Sequence, residues 1–100
     1  MGGDAANATI ELPSTGDAIT VAALKTELLE RLAAGEGVRL DARHVAEPSA
    51  ALIQMIEAGA AAFADKTLPF GLLDPSDALC GAYETLGLFT ALMSRIVMEM

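Results

Sequence analysis

The reactive side chains in this 100-residue sequence are few: one histidine, one cysteine and a loop rich in carboxylates. His44 has Asp41 three residues before it and Glu47 three after it. General acid–base chemistry needs such a histidine and a carboxylate meeting in a pocket. A loop can bring the three together, but a lone histidine among loop charges reads first as a solvated residue, so no catalytic residue is assigned. Cys80 lies within an apolar helical stripe, which suits a packed thiol rather than a nucleophile. A metal centre needs three or four ligands at recognisable spacing. His44 and Cys80 stand 36 positions apart and do not begin one, so neither a metal nor any other cofactor is expected. Gly35-Glu36-Gly37 follows a helical pattern and enters a strand, whereas a dinucleotide fingerprint must leave a strand and open a helix. That run reads as a helix stop.

The elements that position these residues follow from periodicity. Ala8–Leu12 alternates as a strand, and Pro13–Asp17 is a run of turn formers. Thr20 is placed as the cap of a helix reaching about Ala34, with Val21, Leu24, Leu28 and Leu32 as its buried stripe. Glu27 and Arg31 are spaced to pair along it, and Gly35 and Gly37 end it. Gly37–Ala42 is a second strand, with Val38 and Leu40 on one face and Arg39 and Asp41 on the other. Pro48 keeps Glu47 out of helical space. Ser49 then caps a helix to about Asp65, with Leu52, Ile56 and Phe63 inward and Gly59 and Ala60 filling the gap, the glycine costing about 1 kcal/mol against alanine unless another element packs close there.

A third strand, Leu68–Leu73, is almost wholly apolar, as a strand covered on both faces would be. Asp74 is placed as a cap before Pro75, and the helix that follows runs to Leu86, burying Leu79, Cys80 and Tyr83. Gly87 stops it. A last helix carries Leu88, Leu92, Ile96 and Val97 at helical spacing, with Met93 beside them in the core and Met98 and Met100 extending an apolar end. Strands alternating with helices imply parallel pairing.

Composition bounds the rest. A chain this long makes one domain with one core. Hydrophobic residues are 53% of it, which argues against disorder. Alanine supplies 20 residues, favouring closely packed helices. Six basic residues, scattered at 25, 31, 39, 43, 66 and 95, against fourteen acidic ones exclude a nucleic-acid binder, which needs clustered cations. The net charge of −8 suits solubility or a partner with a basic face. A single cysteine allows no internal disulfide, in keeping with a reducing cytoplasm. MGGDAANA lacks the basic and apolar regions of a signal peptide, and no run approaches a membrane span, so no membrane insertion is expected.

Several segments together resemble a STAS domain, the module of sulfate transporters and anti-sigma factor antagonists. The family's central pattern is roughly LDLSxVxxIDSSGLxxL. Leu40, Asp41 and Val45 match its first part, and Ile53 and Ile56 fall at its apolar helix positions. Upstream, Leu12-Pro13 through Asp17 and then Thr20–Leu24 resemble LPGELDLATAPAL. Downstream, Phe70–Leu79 resembles FRLVNPSEAL, and Leu86-Gly87-Leu88 echoes the family's LGL. The likeness spans about residues 8–97.

The resemblance implies an α/β fold: a small, mostly parallel or mixed sheet of about four strands with helices packed on it. A single such domain is expected over 8–98, behind a flexible tail at 1–7. The family's first strand looks truncated, so that Ala8–Leu12 takes the place of its second.

The departures bear on function. The family's D-S/T-S/A-G tetrad aligns with Ser49-Ala50-Ala51-Leu52, so the two phosphoacceptor positions hold Ala50 and Ala51. Ser49 falls one step early and is read as a helix cap rather than a displaced phosphosite. The resemblance then implies a non-enzymatic interaction module of bacterial signalling, similar to stand-alone forms in chemotaxis operons. Its protein partner would be a signalling kinase, a response regulator or an anti-sigma factor. The docking face carried over from the family is Asp41, Arg43, His44, Glu47, Ser49, Ala50 and Gln54. Two alternatives stay open: a soluble accessory subunit of a membrane lipid-transport ATPase, and an anti-sigma antagonist switched by phosphorylation.

Overall fold

A computed structural model of the chain describes residues 7–96. Its elements are β1 (Asn7–Glu11), α1 (Ala18–Ala34), β2 (Gly37–Asp41), α2 (Ala50–Asp65), β3 (Phe70–Leu73), α3 (Asp77–Thr85) and α4 (Phe89–Arg95). The strands pair in the order β1-β2-β3, all parallel. Ile10, Leu40 and Leu72 lie side by side in this register, as do Ala8, Val38 and Phe70. Partners in register share a face of the sheet, and Val38, Leu40 and Leu72 are fully buried, so this face carries the core. The alternate row of Glu11, Asp41 and Leu73 closes the carboxyl end of the opposite face.

Helices α1 and α2 pack on each other, α1 against β2 and α2 against β3. Val21, Leu24 and Leu28 of α1 are buried where the helical period places them, and Leu32 packs half-buried at the rim. Leu52, Ile53, Ile56 and Phe63 do the same for α2. Gly59 lets the ring of Phe70 approach: a Cβ there would lie 3.0 Å from Phe70 Cε2. Leu79 and Tyr83 of α3 and Leu92 of α4 complete the core. Among the described residues no helix is long and apolar enough to cross a membrane.

Several expectations are corrected. The described sheet has three strands rather than about four. The outer edge of β3 carries one parallel bridge, Leu72 to Ile96, too short to count as a strand. Asn7 belongs to β1 and not to a tail, while residues 1–6, and Val97, Met98 and Met100 with them, lie outside the described residues. β3 begins at Phe70, not Leu68, because Thr67 turns through a positive φ of 55° and Pro69 has no N–H to donate.

Asp17, not Thr20, caps α1. Its carboxylate accepts the Thr20 N–H at 2.9 Å, so Thr20 is the third helical residue, whose orphan donor the cap serves. Ser76, not Asp74, caps α3, because Asp74 turns the chain out of β3 at φ 47°. Arg31 pairs with Glu36 at 2.8 Å rather than with Glu27, because the turn at Gly35 folds Glu36 back over the last turn of α1. Met93 is exposed, one position round from the stripe that Leu92 anchors. Cys80 is half-buried against the core, and burial pushes its thiol up from the ordinary range.

Candidate functional site

The carboxyl ends of the three strands and the loop from Ala42 to Ser49 form one surface. Two small hydrophobes fix the loop from below: Ala42 and Val45 are buried, so the residues between and after them face outward. Ala42 donates its N–H to Leu73 O at 2.9 Å and accepts that of Ser76 at 3.1 Å. The loop is thereby stitched to both ends of the turn leaving β3.

Arg43 and His44 splay to opposite sides. Asp41 Oδ1 accepts the Arg43 backbone N–H at 3.2 Å and its Nε–H at 3.0 Å. The same guanidinium reaches Asp74 at 3.5 Å. Partial burial alone would raise the Asp41 carboxyl; the two Arg43 bonds and the nearby positive charge outweigh it and hold the group below the usual carboxylate range. His44 turns the other way, to Glu11 at the end of β1, at 3.6 Å and in solvent. Asp41 and Arg43 are thus brought together, whereas the histidine lies beside a residue the sequence did not single out.

The second half of the loop is braced by the turn between β1 and α1. Ala46 and Glu47 both donate backbone N–H groups to Ser14 O, at 2.8 and 2.9 Å. Glu47 O in turn accepts the Gly16 N–H at 2.9 Å. Ser49 is the keystone of this contact. Its hydroxyl donates to Gly16 O at 2.7 Å and accepts the Leu52 N–H at 3.0 Å. Gly16 has to be glycine: a Cβ there would stand 2.6 Å from Ser49 Oγ and 2.9 Å from Ser49 N. Ser76 repeats the device at α3, donating to Val45 O at 2.6 Å and accepting from Leu79 N–H at 3.1 Å.

Above this brace, Ala50, Ala51 and Gln54 are exposed on the first turns of α2, with Glu47 exposed beside them. The result is a shelf of small side chains, braced from below by these hydrogen bonds and edged by charge. As parts of this surface, Gly16, Ser14, Glu11 and Ser76 are not singled out by the sequence, and Asp74 is read there only as a helix cap. Gly16, within a run of turn formers, carries a local turn signal, and Ser76 a capping one. An open groove of about 400 Å³ runs between β1 and α1, lined in part by Leu12, Thr20, Glu27 and His44. Among the described residues no group of three or more His, Cys, Asp or Glu side chains is arranged to hold a metal ion.

Comparison with known proteins does not add to this geometry: no family model matches the chain, and no curated protein matches it.

Proposed function

We propose that the chain is a non-enzymatic, STAS-like interaction module of bacterial signalling. It docks a chemotaxis-type or anti-sigma-type partner in the cytoplasm through the loop and helix start at residues 41–54. The observation that carries this reading is the state of Ser49. Its hydroxyl is half-buried and committed to two hydrogen bonds, one as donor and one as acceptor. The neighbouring positions that would accept phosphate in the family are Ala50 and Ala51, both exposed. A helix start whose serine hydroxyl is already committed and whose next two side chains are small and outward suits protein contact better than phosphate transfer, since the backbone of its first turn stays approachable.

The test is a substitution on the shelf. The tagged chain, used to capture proteins from its source cells, is expected to retain one signalling partner. Ala50→Arg is expected to lose it, with circular dichroism and Tm unchanged. Ala61→Arg, exposed further along α2, is expected to keep it. Calorimetric binding of the purified partner that is unchanged by Ala50→Arg defeats the reading. Capture of the nucleotide-binding subunit of a transport ATPase favours the accessory-subunit alternative. Phosphate appearing on Ser49 after incubation with a partner kinase and labelled ATP favours the phospho-switch.

A further inference from the structure

We propose that α4 is a hinged strap that opens on its own, swinging about Gly87 while the rest of the described fold stays closed, and that the Arg95–Glu57 ion pair is its clasp. Four observations carry this. The first is the contrast between α3 and α4. Leu79 and Tyr83 bury completely, and Ser76 ties the start of α3 to the loop carbonyl of Val45. Helix α4 buries Leu92 alone, leaves Phe89 and Met93 exposed, and begins at Leu88 without a side-chain cap. A segment with few buried contacts and an uncapped end belongs to the low-stability part of a fold.

The second is the joint. Gly87 sits at φ 74°, and no atom lies within 4 Å of where its Cβ would be. Nothing therefore packs against that side of the joint, which is held by local backbone bonds alone, from Gly87 N–H to Glu84 O at 3.0 Å and from Leu88 N–H to Tyr83 O at 2.8 Å.

The third is the clasp itself. Glu57 of α2 receives a hydrogen bond on each carboxylate oxygen. Tyr83 donates to Oε2 at 2.8 Å, and Arg95 Nη2 donates to Oε1 at 2.8 Å. Tyr83 is buried, and burial together with this bond pushes its phenol far above the ordinary range, so it remains a donor at any physiological pH. One partner of Glu57 is thus permanent and the other removable. When Arg95 leaves, the carboxylate keeps a hydrogen bond and α2 keeps its position.

The fourth is what the strap covers. Ile96, directly after α4, makes the single bridge found among the described residues on the outer edge of β3, to Leu72. Opening the strap bares that edge and leaves its backbone groups without a partner from this segment.

Native-state hydrogen exchange on the full chain tests the proposal. The N–H groups of Leu92 and Ile96, bonded to Leu88 O and Leu92 O, report the strap. Those of Val38 and Ala42, bonded to Pro69 O and Leu73 O, report the sheet. Strap amides are expected to open at least about tenfold more often than sheet amides. Arg95→Gln and Glu57→Gln should each raise strap opening roughly fivefold further and leave the sheet amides unchanged. Arg95→Gln keeps the Tyr83–Glu57 bond, so it reads the clasp even where Glu57→Gln weakens α3. A common opening rate for all four amides in the unaltered chain overturns the proposal. Equal acceleration of strap and sheet by Arg95→Gln overturns it as well.

Discussion

At the scale of single residues, the shelf depends on the fit between Ser49 and Gly16, which lie 33 positions apart in sequence. Ser49 does two jobs with one oxygen: it caps α2 and it holds the β1–α1 turn. Ser49→Ala removes both and should cost about 1–2 kcal/mol, toward the upper end for a cap because a tertiary bond goes with it. Gly16→Ala leaves the hydrogen-bonding groups in place but drives a methyl into Ser49 Oγ and N. The cost should be about 1–3 kcal/mol. The double variant tells the two apart. Removing the hydroxyl relieves the 2.6 Å collision but not the 2.9 Å approach to the backbone nitrogen. The double variant should therefore lose less than the sum of the singles, by about 0.5 kcal/mol or more. Urea unfolding of all four proteins, read as midpoints at constant m, measures this. Simple additivity would mean that the two residues do not act on each other.

At the scale of elements, two helical glycines that look alike in sequence do opposite things. Gly81 of α3 has nothing within 4 Å of the place a Cβ would take, so Gly81→Ala gains helix propensity without penalty and should stabilise by about 0.5–1 kcal/mol. Gly59 of α2 faces the Phe70 ring at 3.0 and 3.2 Å and Leu28 Cδ1 at 3.4 Å. Gly59→Ala must displace that ring, and the propensity gain should be cancelled or reversed. Thermal unfolding of the two variants side by side checks the contrast, and a gain for both would show that Phe70 yields freely. The Gly59 approach was legible in the sequence, as a helix breaker set in a buried stripe. So were the order of elements and the apolar stripes of α1 and α2, because a period of two or of 3.6 is a local property of the chain. Cap positions were less legible. Asp17 and Thr20 are both good caps, as are Asp74 and Ser76, and tertiary partners decide between them. Ser76 is fixed by Val45 O, 31 positions away.

At the scale of the whole molecule, what the sequence hides is the set of polar bonds between distant elements. Glu57, Tyr83 and Arg95 meet across 26 and 38 positions, and no spacing rule connects them. Net charge, by contrast, is plain in the sequence, and the fold shows how it is spread. The ion pairs Arg31–Glu36, Arg43–Asp41, Arg43–Asp74 and Arg95–Glu57 lie at or near solvent. Such pairs contribute about 0–1 kcal/mol each and are weakened by salt. Six cations among fourteen carboxylates nevertheless leave a net charge of −8 on a small body. Self-repulsion on that scale opposes the compact state, and salt screens it over a Debye length of about 10 Å at 0.1 M. The two effects have opposite signs, and the excess of like charge should win. Raising sodium chloride from about 0.02 to 0.5 M at pH 7 should therefore stabilise the fold, by a few tenths to about 1 kcal/mol. Urea midpoints at the two salt concentrations provide the measurement. A fall in stability with salt would show that these few pairs outweigh the excess of carboxylates, and would make Arg31, Arg43 and Arg95 the residues to neutralise next.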